Sequence, residues 1–134
     1  MSIDMHGLCP LVQVFDMPTS LRFYRDVLGF IVYQASQERS PDDCDWVWLK
    51  SNATDLMLNT AFEFDSRPAA PDSERLAAHD DTCLFIGCPD VDRAYEVLSG
   101  KGLKLNPPKV APYGMKQLFL HDPDGYNICL QWPA

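Results

Sequence analysis

Four sulfur-bearing residues stand at matched intervals in this chain. Cys9 stands to Asp16 as Cys83 stands to Asp90, and Met57 and Cys129 follow them at nearly equal separations. Thiolates and a thioether suit soft ions such as Cu(I), Zn(II) or a thiophilic metalloid. One of the thiols alone would be a nucleophile if a base or cation beside it lowered its pKa. No partner base is visible in the sequence. Cysteine and methionine on strands also serve as small or pliable apolar packing. A soft monovalent or divalent metal ion held by Cys9, Met57, Cys83 and Cys129 is therefore the alternative reading, and no cofactor is the favoured one. Cys44, in the acidic run Asp42-Asp43-Cys44-Asp45, and Cys88 read as structural.

A second constellation is made of amides and aromatic rings. Strand alternation turns Val12, Val14, Leu56, Leu58, Leu84, Ile86, Leu118, Leu120, Ile128 and Leu130 toward helices. The opposite parity then faces a cavity. It carries Gln13, Trp46, Trp48, Asn59, Phe85, Gln117, Phe119 and Gln131, the candidate ligand-binding residues. Rings offer planar apolar area, and amides fix orientation by donating and accepting hydrogen bonds. This face holds no carboxylate or histidine for general acid–base work. Trp46 and Trp48 read equally well as core aromatics.

The three histidines lie outside that face. His6 reads as a tail residue, His79 as approaching the rim of the cavity, and His121 as a turn residue. Asp122 and Asp124 in Asp122-Pro123-Asp124-Gly125 are read as turn formers rather than catalytic carboxylates. Tyr113-Gly114 is read as a mobile lip with a glycine hinge. The acidic run is read as a solvated loop able to draw a cation to the mouth.

These residues need elements to position them. Alternating apolar residues predict strands over 11–15, 31–35, 46–50 and 56–60, with a helix from Pro18 to Leu28 ended by Gly29. After a linker over 61–81 with one short helical piece near 73–78, the pattern restarts. Strands are expected over 82–88, 103–110, 115–120 and 126–132, with a helix over 90–99. Asp16 and Asp90 each sit at an expected helix cap. The expected fold class is α+β, built as one domain over 1–134. Module one spans 9–60 and module two 82–132, each βαβββ.

Composition excludes several partners. The net charge of −8 repels phosphates, so nucleic acid is not expected. No apolar run is long enough to span a bilayer, and no signal-peptide pattern opens the chain, so a cytoplasmic protein without a membrane partner is expected. Five cysteines without a CxxC pair argue against a disulfide framework. A small neutral or cationic ligand suits the overall charge.

The segment from Phe15 to Phe30, with Phe23-Tyr24-Arg25-Asp26-Val27-Leu28-Gly29-Phe30 at its centre, and the later Asp122-Pro123-Asp124-Gly125-Tyr126, resemble the vicinal oxygen chelate superfamily. That superfamily includes glyoxalase I, bleomycin- and fosfomycin-resistance proteins and extradiol dioxygenases. The resemblance runs from Pro10 to Trp132. It implies that two βαβββ modules form a curled mixed sheet around a cup, and that the protein is a homodimer. Whether a cup lies within one chain or between two is left open. Metal-using members place His and Glu ligands on the first and last strand of each module. Those positions here hold Cys9, Met57, Cys83 and Cys129. The resemblance is compatible with two activities. One is a resistance-type protein that sequesters a small aromatic or cationic molecule without a metal. The other is a lyase, isomerase or dioxygenase that uses the soft metal above.

Overall fold

Asp16 closes the first strand and opens the first helix. Its carboxylate accepts the Thr19 amide at 3.2 Å and also the Thr19 hydroxyl, capping amides that the helix itself leaves unpaired. Pro18 in the first turn needs no amide partner. Asp90 repeats the device, accepting the Arg93 amide at 2.9 Å. The cap residues thus mark the start of the same unit twice.

The computed structural model describes residues 1–63 and 66–134, so the expected linker over 61–81 includes positions 64 and 65, which lie outside the described residues. The chain divides into two compact units, Met1–Arg67 and Pro68–Ala134. The short helix of the expected linker belongs to the second unit.

In the first unit, β1 (Leu11–Val14) is followed by α1 (Met17–Leu21), which runs on as a π-helical turn over Arg22–Val27. The Leu28 amide bonds Phe23 O, five residues back, at 2.9 Å. Gly29 then leaves at φ +89°, a conformation that favours glycine. Strands β2 (Ile31–Ala35), β3 (Trp46–Ser51) and β4 (Thr54–Thr60) complete a sheet ordered β1-β4-β3-β2. β1 lies parallel to β4 and the other pairs are antiparallel.

The second unit begins with α2 (Ser73–Ala78) and a 3₁₀ turn (His79–Asp81). Then come β5 (Cys83–Gly87), α3 (Val91–Gly100), β6 (Lys109–Val110), β7 (Met115–His121) and β8 (Asn127–Pro133). Its sheet order, β5-β8-β7-β6, repeats that of the first unit. β6 is far shorter than the expected strand over 103–110. Pro107 and Pro108 lack amide donors, and Asn106, placed before a proline, is held out of regular pairing.

Each sheet buries one face. Val12, Val14, Val47, Leu49, Leu56 and Leu58 are buried, as are Met17, Leu21 and Tyr24 of the helical stretch. In the second unit Leu118, Leu120, Ile128 and Leu130 are buried with Val91 and Leu98. Each such side chain contributes about 1.5–3 kcal/mol. The strand parity expected from alternation holds in the first sheet and for the leucines and Ile128 of β7 and β8, whereas Leu84 and Ile86 on β5 are half-buried and Cys129 and Gln117, of the opposite parity, are buried as well. Two expectations are corrected. Cys9 precedes β1 instead of lying on it, whereas Cys83 opens β5. The acidic run is ion-paired instead of freely solvated: Arg25 grips both oxygens of Asp42 at 2.9 Å, and Arg39 reaches Asp45 at 2.8 Å and Asp43 at 3.5 Å. Cys44 within it is buried.

Asp122-Pro123-Asp124-Gly125 forms the expected turn. Asp122 Oδ1 accepts the amides of Asp124 and Tyr126, each at 2.9 Å. Asp124 does something else: it is buried and ion-paired with Arg75 of α2 at 2.8 Å. His79 Nδ1 lies 2.6 Å from Asp124 O, and its ring stacks on Tyr126 with centroids 3.9 Å apart. His79 thus fastens the helical segment to the turn, and the expected approach to a cavity rim is corrected. His121 lies 3.7 Å from Asp80, also at the surface.

Candidate functional site

Strand register sorts the candidate residues into rows, because directly paired residues point to the same face. In the first unit Leu11, Met57 and Trp48 form one row, and Gln13, Asn59 and Trp46 the next. In the second unit Phe85, Cys129 and Phe119 form a row, and Gln131, Gln117 and Lys109 the next. The structure brings Gln13, Trp46, Trp48 and Asn59 onto the open face of one sheet, and Phe85, Gln117, Phe119 and Gln131 onto the open face of the other.

On the first face an internal cation already sits over the rings. Lys50 Nζ lies 4.5 Å from the Tyr33 ring centroid and 5.1 Å from that of Trp48. The Tyr33 and Trp48 rings meet edge to face at 5.0 Å. Asp55, which register places on the same face, accepts the Trp48 indole N–H at 2.8 Å and lies 3.4 Å from Lys50, which corrects the expectation of a face without a carboxylate. This arrangement is a cation–π site occupied by the chain itself. Tyr33 escaped the sequence reading because β2 carries an irregularity between Val32 and Gln34 that shifts its parity, whereas Lys50 shares the parity of Trp46 and Trp48 on β3 and could have been found by alternation.

On the second face Phe85 and Phe119 are 57 % and 52 % exposed, while Cys129 between them has no exposure. Beside them runs a hydrogen-bonded chain. Gln117 Nε2 donates to Gln131 Oε1 at 2.9 Å and to the Tyr113 hydroxyl at 2.8 Å. A groove of about 510 Å³ opens there, lined by Pro107, Lys109, Pro112, Tyr113, Gln117 and Phe119 among others. Its volume falls in the range of small-molecule sites. Tyr113-Gly114 belongs to a closed turn, with Ala111 N–H bonding Met115 O at 2.8 Å and Gly114 N–H bonding Ala111 O at 2.9 Å. These bonds close the turn, and Gly114 takes φ +91° within it. Tyr113 was expected near the cavity as part of its lip, whereas Lys109 was not singled out from sequence; it joins the site through its direct pairing with Gln117 on β7. A second cavity of about 380 Å³ lies in the first unit between the helical stretch and β2, with Arg25 and Asp42 in its wall.

The five thiols share one electrostatic character. Burial raises the pKa of Cys9, Cys44, Cys83, Cys88 and Cys129, most for Cys129, which is pushed up to about 11 by burial and by neighbouring Cys83. Raised in this way they stay protonated at neutral pH, and a protonated thiol is a poor nucleophile. Among the described residues no group of three or more His, Cys, Asp or Glu side chains is placed to hold a metal ion. Also among the described residues, no helix is long and apolar enough to cross a membrane.

A repeated βαβββ unit with an open, amide- and ring-bearing sheet face agrees with what comparison finds. The model of the Glyoxalase/Bleomycin resistance protein/Dioxygenase superfamily matches residues 8–130, and the chain belongs to that superfamily. Among solved structures it is similar to TnmS3, an antibiotic-binding protein from Streptomyces sp. CB03234, at 24 % identity over 100 % of this chain and 99 % of that one, with a TM-score of 0.69. It is also similar to the bleomycin-binding protein of Streptomyces verticillus complexed with copper(II)-bleomycin, at 17 % identity over 96 % and 97 % of the two chains, TM-score 0.66. A superfamily member from Sphaerobacter thermophilus DSM 20745 aligns at 21 % identity over 96 % and 97 %, TM-score 0.68. These identities establish a shared fold. Comparison with the curated proteins finds no match.

Proposed function

We propose that this protein binds and sequesters a small aromatic molecule, without a metal ion, on the open faces of its sheets. One observation carries the reading: half-exposed Phe119 lines a groove sized for a small ligand together with Tyr113 and Gln117 of the hydrogen-bonded chain, and half-exposed Phe85 lies two strands across in the same row. Exposed rings next to fixed amides suit planar stacking and oriented recognition. The solved structures named antibiotic-binding and bleomycin-binding support a resistance-type role. A cationic ligand is the weaker choice. Lys50 already covers the Tyr33 and Trp48 rings, and Arg25 and Arg39 pair with the aspartates of the acidic run. In this reading the protein works as a homodimer.

Calorimetric titration with a set of planar aromatic compounds tests the proposal, alongside elemental analysis of protein purified without chelator. Saturable binding by metal-free protein supports it. Stoichiometric zinc, copper or iron, lost on Cys83→Ser or Cys129→Ser, would replace it with the soft-metal enzyme.

A further inference from the structure

The hydrogen-bond chain on the second sheet has a direction, and the direction selects a ligand. Gln117 spends its Nε2 on two acceptors, Gln131 Oε1 and the Tyr113 oxygen. Gln117 is buried, and its register with Gln131 on β8 and with Lys109 on β6 fixes it centrally in the row. With Oε1 of Gln131 engaged, the Nε2 of the same amide is left to donate outward. With the Tyr113 oxygen accepting from Gln117, its own O–H is likewise turned away from that bond. Tyr113 is 70 % exposed, so the hydroxyl stands at the groove surface. Lys109, cross-strand from Gln117, adds an ammonium with three donors and no acceptor. The lining of the groove contains this one cation and no carboxylate among the described residues.

Resting on the aromatic-binding reading above, we infer that this groove takes an aromatic ligand by an oxygen-bearing edge, a carboxylate or phenolate, received by Lys109 Nζ and the Tyr113 hydroxyl while the ring of Phe119 meets its apolar part; the Gln131 amide and the Phe85 ring continue the same two rows beyond the groove lining. The overall charge of −8 opposes such a ligand, so a preference for it has to come from the local donors. Charge-assisted hydrogen bonds of this kind are short and directional and are favoured by an apolar floor.

The test uses three probes of one shape in calorimetric titrations at neutral pH: naphthoate, naphthylmethanol and naphthylmethylammonium. The expected order is naphthoate tightest, by about tenfold over naphthylmethanol, with the ammonium weakest. Lys109→Met should erase the preference, bringing naphthoate and naphthylmethanol to equal affinity, with an unaltered melting temperature. Tyr113→Phe should weaken naphthoate several-fold. Equal affinities for the three probes, or preference for the ammonium, would overturn the inference and leave aromatic binding standing. Failure of all three to bind would overturn both.

Discussion

The Tyr113 hydroxyl lies 2.8 Å from Gln117 Nε2, so a residue at the exposed edge of the second unit is tied to a buried amide in the middle of its sheet. Replacing Gln117 with Leu removes the bonds to both Tyr113 and Gln131. Affinity for an aromatic carboxylate should fall about tenfold, more than for Tyr113→Phe, because two donors lose their orientation together. Titration of both variants against naphthoate checks the order.

Phe119 is half exposed and pairs across the strand with buried Cys129. Phe119→Ala should lower ligand affinity about tenfold while costing little stability, as expected for an aromatic anchor that faces a ligand and not the core. It should also speed alkylation of Cys129 in the folded protein. Mass-spectrometric labelling with iodoacetamide reads the second effect directly.

Cys129 is held protonated, its pKa raised to about 11 by burial and by Cys83. The unfolded thiol ionises first as pH rises, so ionisation favours the unfolded chain. The stabilisation is complete below the ordinary thiol value and is lost as pH climbs toward about 11. The urea midpoint, followed in reductant, should therefore fall over that interval. Cys129→Ala should flatten the fall, with the remaining slope coming from the other four thiols, all shifted the same way.

Arg75 pairs with Asp124, whose side chain is 2 % exposed. Arg75→Ala leaves that carboxylate buried without its cation. A loss of about 3 kcal/mol is expected by urea unfolding. The double variant Arg75→Ala, Asp124→Asn should recover part of it.

Gly125 has φ +84°, and a Cβ there would stand 2.5 Å from Leu76 O. Gly125→Ala combines a disfavoured backbone with a clash against main chain. It should cost about 2 kcal/mol or more, read as a lower thermal midpoint.

The sheets were legible in the sequence because period-two alternation is strong where one face is buried and the other open. Val12 with Val14, and Ile128 with Leu130, announce their strands and their parity. The caps at Asp16 and Asp90 were legible because capping is local. What stayed hidden depends on partners remote in sequence. His79 meets Tyr126, and Arg75 meets Asp124, only through the fold. Lys50 reaches Tyr33 only through an irregular strand pairing. Lys109 reaches the row of Gln117 only through a strand that two prolines cut short.

The two aspartates of Asp-Pro-Asp-Gly answer to different constraints. Asp122 ties down amides a few positions away and should persist in every relative that keeps the bend. Asp124 answers instead to an arginine far upstream. In aligned homologues positions 75 and 124 should vary in concert, and a chain that abandons the arginine should be free to abandon its acid.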